Sequence, residues 1–303
     1  MKLLSFIRPD RVPSVGRLDV GDRVTDLGGL VPAGQARSLR ALLTALDGAP
    51  IPAAPPDAGV FPLADVTLLP LVPDPPKIMA APVNYRDHQA EMNQDAHVDA
   101  LGIFLKAPTS VLASGGTIVL PYTDRRFDQE GELALVIGRG GRRIPASVAL
   151  NHVAGYTCLL DITMRGGEDR STRKSFDTFT PVGPWLVTPD EAGPPESLSL
   201  RTWVGGELRQ NADIKDLIWD VPRLIEYASS VMTLQPGDII TTGTPAGVGR
   251  ISGGDSIAVV IDRIGRLEAV VSASGAVLCP TRGANRGPVP PASVTPVRPA
   301  RRK

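Results

Sequence analysis

Two glutamates one residue apart, Glu130 and Glu132, open an apolar run that continues Leu133-Ala134-Leu135-Val136-Ile137-Gly138. The pattern over 127–138 predicts a strand ending at glycine. Side chains alternate across a strand, so Glu130 and Glu132 share a face with Ala134 and Val136. Two carboxylates on a mostly buried face repel by roughly 4 kcal/mol at about 4 Å in a protein-like dielectric. A hard divalent cation is the usual group that holds such acids together. Asp161 ends a second apolar run, 153–160, and offers a third oxygen ligand. The plain alternative is a half-exposed strand with both glutamates in water.

Three further segments carry residues of the right type. Asn84-Tyr85-Arg86-Asp87-His88-Gln89-Ala90-Glu91 follows a buried-strand pattern over 77–83. If it turns into a short helix, His88 and Glu91 share a face at i and i+3. A carboxylate beside an imidazole fixes its tautomer and raises its basicity, as a general base requires. His97 and His152 have no comparable partner. Lys174 enters an apolar segment, where it offers positive charge to a carboxylate or a developing enolate, or else snorkels at a strand edge. The stretch 234–249 reads as a turn, a strand and a glycine-rich loop. Its glycine spacing fits neither a dinucleotide fingerprint nor a phosphate loop. Backbone N–H groups there, with the Thr244 hydroxyl, suit a carboxylate, and a plain turn explains them equally.

The elements that must position these residues are strand-rich. Residues 1–72 show short strand patterns and a helical stretch near 35–46, then a proline-rich connector, and are expected to form a small N-terminal domain. From 73 to 280 most segments are short strands punctuated by glycine and proline, and only 220–231 is strongly helical. The pattern indicates an α+β, β-rich core rather than alternating βαβ units. The remainder, 281–303, is basic, rich in proline and alanine, and expected to be a disordered tail. Lys+Arg 32 against Asp+Glu 32 gives no overall field for a polyanion, so no nucleic-acid partner is expected. No apolar run approaches the roughly 20 residues that span a bilayer, and no signal-peptide pattern opens the chain. The expectation is a cytoplasmic protein with no membrane partner. Cys158 is expected to be a buried free thiol.

Taken in order, Asn-Tyr-x-x-His-x-x-Glu (84–91), Phe-Leu-Lys-x-Pro (104–108), Glu-x-Glu-Leu-x-x-Val-Ile-Gly (130–138), Val-Ala-Gly-Tyr-Thr (153–157), Lys-Ser-Phe-Asp-Thr-Phe (174–179) and Thr-Gly-Thr-Pro-x-Gly-Val-Gly (242–249) resemble the fumarylacetoacetate hydrolase family. The resemblance spans about 77–270 and implies a rolled mixed β-sheet catalytic core and a homodimer. It implies that Glu130, Glu132 and Asp161 bind Mg²⁺ or Mn²⁺. His88 and Glu91 match a lid pair, and Lys174 an active-site lysine. Thr178, close behind it, Gly243 and Thr244 match substrate contacts, and Tyr85, Arg86 and Arg165 join them as candidates. Many members read Val-Ser-x-Arg-Asp-x-Gln after the metal aspartate. Here the segment is Ile162-Thr163-Met164-Arg165-Gly166-Gly167-Glu168, and Leu160 stands where many have asparagine.

The chemistry this implies is hydrolysis of a C–C bond in a 2,4-dioxo acid (an acylpyruvate such as fumarylpyruvate) through a metal-bound pyruvate enolate. His88, oriented by Glu91, would activate water, and Lys174 would face the enolate. Isomerisation of an unsaturated 2-oxo acid, or decarboxylation of an oxaloacetate-like one, uses the same enolate without added water. A non-enzymatic alternative is a metal-stabilised protein that binds a small acid. Residues 87–102 are expected to form a lid, since they carry the base and are mostly polar.

Overall fold

The run 131–137 is buried at every position, so this strand needs cover on both faces. Leu133, Leu135 and Ile137 join one apolar cluster, and Ala134 and Val136 join another, as the two-residue period requires. The computed structural model describes residues 1–284 and 286–291. In chain order the framing elements are β1 (Lys2–Ile7), β2 (Pro13–Asp19), β3 (Arg23–Asp26), α1 (Leu39–Leu46), β4 (Ile78–Ala80), α2 (Arg86–Glu91) and α3 (Val98–Leu101). They continue with β5 (Phe104–Lys106), β6 (Arg126–Gln129), β7 (Gly131–Ile137), β8 (Val153–Leu160), β9 (Thr163–Arg165) and α4 (Arg170–Arg173). The last are β10 (Thr180–Val187), α5 (Val221–Val231), β11 (Ile239–Thr241) and β12 (Gly249–Ile251).

Among the described residues, β3-β2-β1-β10-β8-β7-β11-β4-β5 lie side by side in a 12-stranded sheet. Most neighbours are antiparallel, whereas β11 and β4 run parallel, so the sheet is mixed. A 3-stranded sheet has the order β9-β6-β12. A third sheet, of five strands, packs Ser199–Val204, Ser256–Ile261 and Gly265–Ser272 over the main core. The N-terminal strands extend the large sheet, since Lys2 and Leu3 of β1 pair with Val187 and Leu186 of β10. Leu39 and Leu42 of α1 cover its second face with Val136 and Leu159. Ser38 caps α1 by accepting from Ala41 N at 3.2 Å, and Asp220 caps α5 by accepting from Arg223 N at 2.9 Å. Among the described residues no helix is long and apolar enough to cross a membrane.

The strand expected over 127–138 is interrupted. β6 and β7 are consecutive in the chain, yet they belong to different sheets, with Glu130 between them. β8 and β9 change sheet in the same way around Asp161, and β11 and β12 do so around 242–248. Asp161 N donates to Glu130 O at 2.8 Å and locks two of the crossings together. Every residue from 127 to 138 is buried, so the pattern of burial carries no mark of the break.

The segment expected to be a disordered tail lies partly outside the described residues, at 285 and 292–303. Its described part is docked. Arg125 Nη2 donates to Thr281 O at 2.6 Å and to Thr281 Oγ1 at 3.0 Å. Gly167 N donates to Gly283 O at 2.9 Å, and Arg126 Nη1 to Pro290 O at 3.4 Å. A composition argument counts apolar burial, whereas this strap is held by main-chain groups and two arginines. Gly166 also departs from the family pattern here: a Cβ on it would lie 2.0 Å from Glu168 Oε2 and 3.3 Å from Gly283 O. Ending the chain at Pro280 removes hydrogen bonds from a buried guanidinium, each worth up to about 1.5–3 kcal/mol. The melting temperature should fall by about 2–5 °C. An unchanged melting curve would mean that the strap contributes nothing.

Candidate active site

Glu130 occupies the break between β6 and β7, Glu132 begins the inward pleat of β7, and Asp161 follows β8. The sheet crossings bring all three together. Their ligand atoms lie within 4.8 Å of one another, and all three are buried. Glu130 Oε2 accepts from Lys174 Nζ at 2.6 Å, and its Oε1 from Arg165 Nη2 at 2.9 Å. Asp161 accepts from Lys174 through one oxygen and from Lys106 through the other. Glu132 Oε2 accepts from the Thr241 hydroxyl and from Gly243 N at 2.9 Å. That last bond needs the Gly243 backbone at φ +87°, with Asn84 Cβ only 2.9 Å from where a side chain would start.

These partners separate the acids electrostatically. Burial pushes the Glu130 carboxyl up, but Lys174 and Arg165 more than reverse this and hold it well below the usual range. Burial also raises Glu132, and the charge on Asp161 adds to it, so that it is pushed up to about 8. One acid is thus firmly ionised while its neighbour resists ionisation. Three buried carboxylates with an all-oxygen donor set fit a hard divalent cation such as Mg²⁺ or Mn²⁺, which would relieve that resistance. Lys106, within the Phe-Leu-Lys-x-Pro stretch, is a further member of the site. Its ammonium is fully buried on Asp161, and burial lowers its pKa against the pull of that aspartate.

The base pair forms as the i, i+3 spacing requires. His88 Nδ1 lies 2.9 Å from Glu91 Oε2 on α2, and both side chains are buried. Glu91 Oε1 also accepts from Gly247 N at 2.9 Å, which ties α2 to the glycine-rich loop. Asn84 fixes the approach to α2: its amide donates to Trp219 O at 2.9 Å and Thr242 O at 2.8 Å and accepts from Trp219 N at 2.8 Å. Its place in the Asn-Tyr motif was the available signal. The segment expected to be a lid is docked in this structure. Val98 is fully buried, and its N–H donates to Val83 O at 3.2 Å.

One cleft collects His88, Glu130, Glu132, Arg165, Lys174 and Thr244. Arg170, Arg173 and strap residue Pro288 also line it, and none of these was singled out from sequence. Arg165 is spent on Glu130 and on Asp128, whose Oδ2 lies 2.6 Å from its Nε. Thr244 Oγ1 donates to Gly131 O at 2.9 Å. Three expected substrate contacts are placed elsewhere. Tyr85 is buried with an unpartnered hydroxyl and does not line the cleft. Arg86 is exposed on α2. Thr178 turns its hydroxyl to accept from Val119 N at 2.9 Å. Cys158 is a buried free thiol, and burial pushes its pKa up to about 12.

The family model for the fumarylacetoacetate (FAA) hydrolase C-terminal domain matches residues 77–272. The chain belongs to the fumarylacetoacetate hydrolase family. A maleylpyruvate hydrolase of Aquipseudomonas alcaligenes is 46% identical over 222 residues, 70% of this chain and 77% of that protein. An oxaloacetate tautomerase of Bacillus subtilis is 42% identical over 223 residues, 69% of this chain and 74% of that protein. The crystal structure of maleylpyruvate hydrolase from Sphingobium sp. SYK-6, in complex with manganese(II) and pyruvate, matches with a TM-score of 0.77 at 38% identity. That match covers 90% of this chain and 99% of the other. Members of the fumarylacetoacetate hydrolase family thus include hydrolases and a tautomerase, and the strand-rich mixed-sheet fold is shared with them.

The raised Glu132 carboxyl has a consequence for stability. Its folded pKa lies above its unfolded value, so the contribution is fully present below the ordinary carboxylate range and is lost as pH rises toward about 8. Protein stripped with EDTA should therefore melt at progressively lower temperature between about pH 5 and pH 8. Glu132→Gln should flatten that slope, and saturating Mn²⁺ should flatten it in the unsubstituted protein. A slope that survives Glu132→Gln unchanged would assign the titration elsewhere.

Proposed function

We propose that this protein is a divalent-metal-dependent hydrolase that cleaves the C–C bond of acylpyruvates. The observation that carries the reading is the buried His88–Glu91 pair, held 2.9 Å apart, whose His88 lines the same cleft as Glu130 and Glu132. Adding water to a carbonyl needs a base of this kind, poised beside the acids that would hold the cation. Mg²⁺ or Mn²⁺, held by Glu130, Glu132 and Asp161, would supply Lewis acidity toward a 2-oxo acid.

The chain's own residues supply the remaining roles. With Nδ1 committed to Glu91, His88 Nε2 is the ring nitrogen available to the cleft. It takes a proton from water, and the water oxygen bonds to the distal carbonyl carbon. The bond between that carbon and the methylene then breaks, and its electron pair stays on the pyruvate half as an enolate. Lys174 offers positive charge beside that enolate. Protonated His88 returns its proton to the methylene carbon, giving pyruvate and a carboxylic acid. Glu91 keeps the imidazole oriented throughout and stabilises its charged form. Docking of the 87–102 segment excludes bulk water from this chemistry.

A second reading, tautomerisation of a 2-oxo diacid, is favoured by the 42% identity to an oxaloacetate tautomerase. Incubation with an acylpyruvate panel in ¹⁸O-water separates the two. Hydrolysis places label in the released carboxylic acid, and His88→Ala should slow it by about 10²- to 10⁴-fold. Consumption of substrate with no label in a cleaved product would remove the hydrolase assignment.

A further inference from the structure

Lys174 ends a segment that has little of its own to hold it in place. α4 is four residues long, too short to be stable by itself. Among the described residues, none between Met164 and Phe176 joins an apolar cluster. Yet Arg170, Arg173 and Lys174 all line the cleft, and Lys174 bridges Glu130 and Asp161. A segment without apolar anchorage opens easily unless polar and main-chain contacts fix it. The C-terminal strap supplies such contacts.

Thr281 joins the two segments through one hydroxyl, which donates to Glu168 Oε1 and accepts from the buried Arg125 guanidinium at 3.0 Å. Gly283 O accepts from Gly167 N at 2.9 Å. Further along, the two backbones approach more closely than side chains permit. A Cβ on Gly287 would lie 2.6 Å from Gly166 O, and the residue sits at φ +78°. A Cβ on Gly167 would lie 2.9 Å from Arg286 Cβ. Asp169 follows these clamped residues directly and caps α4 by accepting from Ser171 N at 2.8 Å. Lys174 N in turn donates to Arg170 O at 3.1 Å, which ties the lysine to the capped turn. Beyond Gly287, Pro288 lines the cleft and Pro290 is buried. The same strap therefore grips the base of α4 and forms part of the wall beside it.

We propose that the described strap, 281–284 and 286–291, is a positioning element of the active site. Docked on 166–168, it fixes α4 and so holds Lys174 beside Glu130 and Asp161. The inference rests on the acylpyruvate reading above for the role of Lys174. The strap touches no reacting atom in it and takes no part in proton transfer.

The test uses the full-length, Mn²⁺-loaded protein and three variants. Thr281→Val removes the shared hydroxyl while keeping the side-chain shape, Thr281→Ser restores the hydroxyl, and Gly287→Val sets a side chain against Gly166 O. Both valine variants should lower kcat for an acylpyruvate by about 10- to 10²-fold, the scale of a small misplacement of a charged group. Thr281→Ser should recover most of that loss. Amide hydrogen exchange should quicken across 166–174 in the valine variants and stay unchanged in β7 and β8. Unchanged exchange across 166–174 would overturn the inference, as would faster exchange there with kcat unaltered, or a Thr281→Ser protein as slow as Thr281→Val. If the unsubstituted protein cleaves no acylpyruvate, the hydrolase reading fails, and calorimetric affinity for pyruvate replaces kcat beside the same exchange measurement. Weaker pyruvate binding in both valine variants then supports the positioning role, and equal affinities, or no binding by any of the proteins, overturn it.

Discussion

Confinement of Glu130, Glu132 and Asp161 within one another's reach is the constraint on which the site depends. Like charges buried together are tolerated only with nearby cations, and the fold supplies three, Lys106, Lys174 and Arg165. Each comes from a different element: β5, the end of α4 and β9. The acids owe their proximity to backbone geometry, because strand pairs leave one sheet for another at the level of Glu130 and Asp161. Side chains at such a crossing point inward from several strands at once. A regular sheet would have spread them along its faces.

The cleft above the acids is bounded by segments that are themselves polar and tied by specific bonds. Glu91 illustrates this. One oxygen orients His88 and the other accepts from Gly247 N, so placement of the base and closure of the glycine-rich loop are coupled. Gln129 reinforces that loop by bonding both Gly247 O and Gly249 N at 2.9 Å. Opposite them the strap brings Pro288 to the cleft, resting on the 166–168 segment that departs from the family pattern. This wall thus rests on the 166–168 segment, whereas the acid triad comes from the sheet crossings.

Much of this site was legible in the sequence because its signals are local. The Glu-x-Glu spacing gave the shared face, the His-x-x-Glu spacing gave the helical pair, and buried runs gave the strands around them. What stayed hidden depends on three-dimensional charge accounting. Lys106 looks like an ordinary strand cation, and only its burial on Asp161 distinguishes it. The break at Glu130 was masked because the residues on both sides of it are strand-like and buried without interruption. The strap was missed because composition measures capacity to bury apolar surface, whereas its described part is held by Arg125, Arg126 and main-chain groups. Thr178 and Arg86 show that neighbourhood in sequence does not fix direction in space: the Thr178 hydroxyl accepts from Val119 N, and Arg86 is exposed on α2.

The central claim is that the three acids form one divalent-cation site whose charge the surrounding lysines and arginine balance. Anomalous diffraction at the manganese edge, from crystals grown with Mn²⁺, tests it most directly. The account requires one strong peak per chain, contacted by carboxylate oxygens of Glu130, Glu132 and Asp161 together, and its loss in crystals of Glu130→Ala. A peak bound by other residues, or none at saturating Mn²⁺ with the three acids still held by Lys106, Lys174 and Arg165, would contradict it.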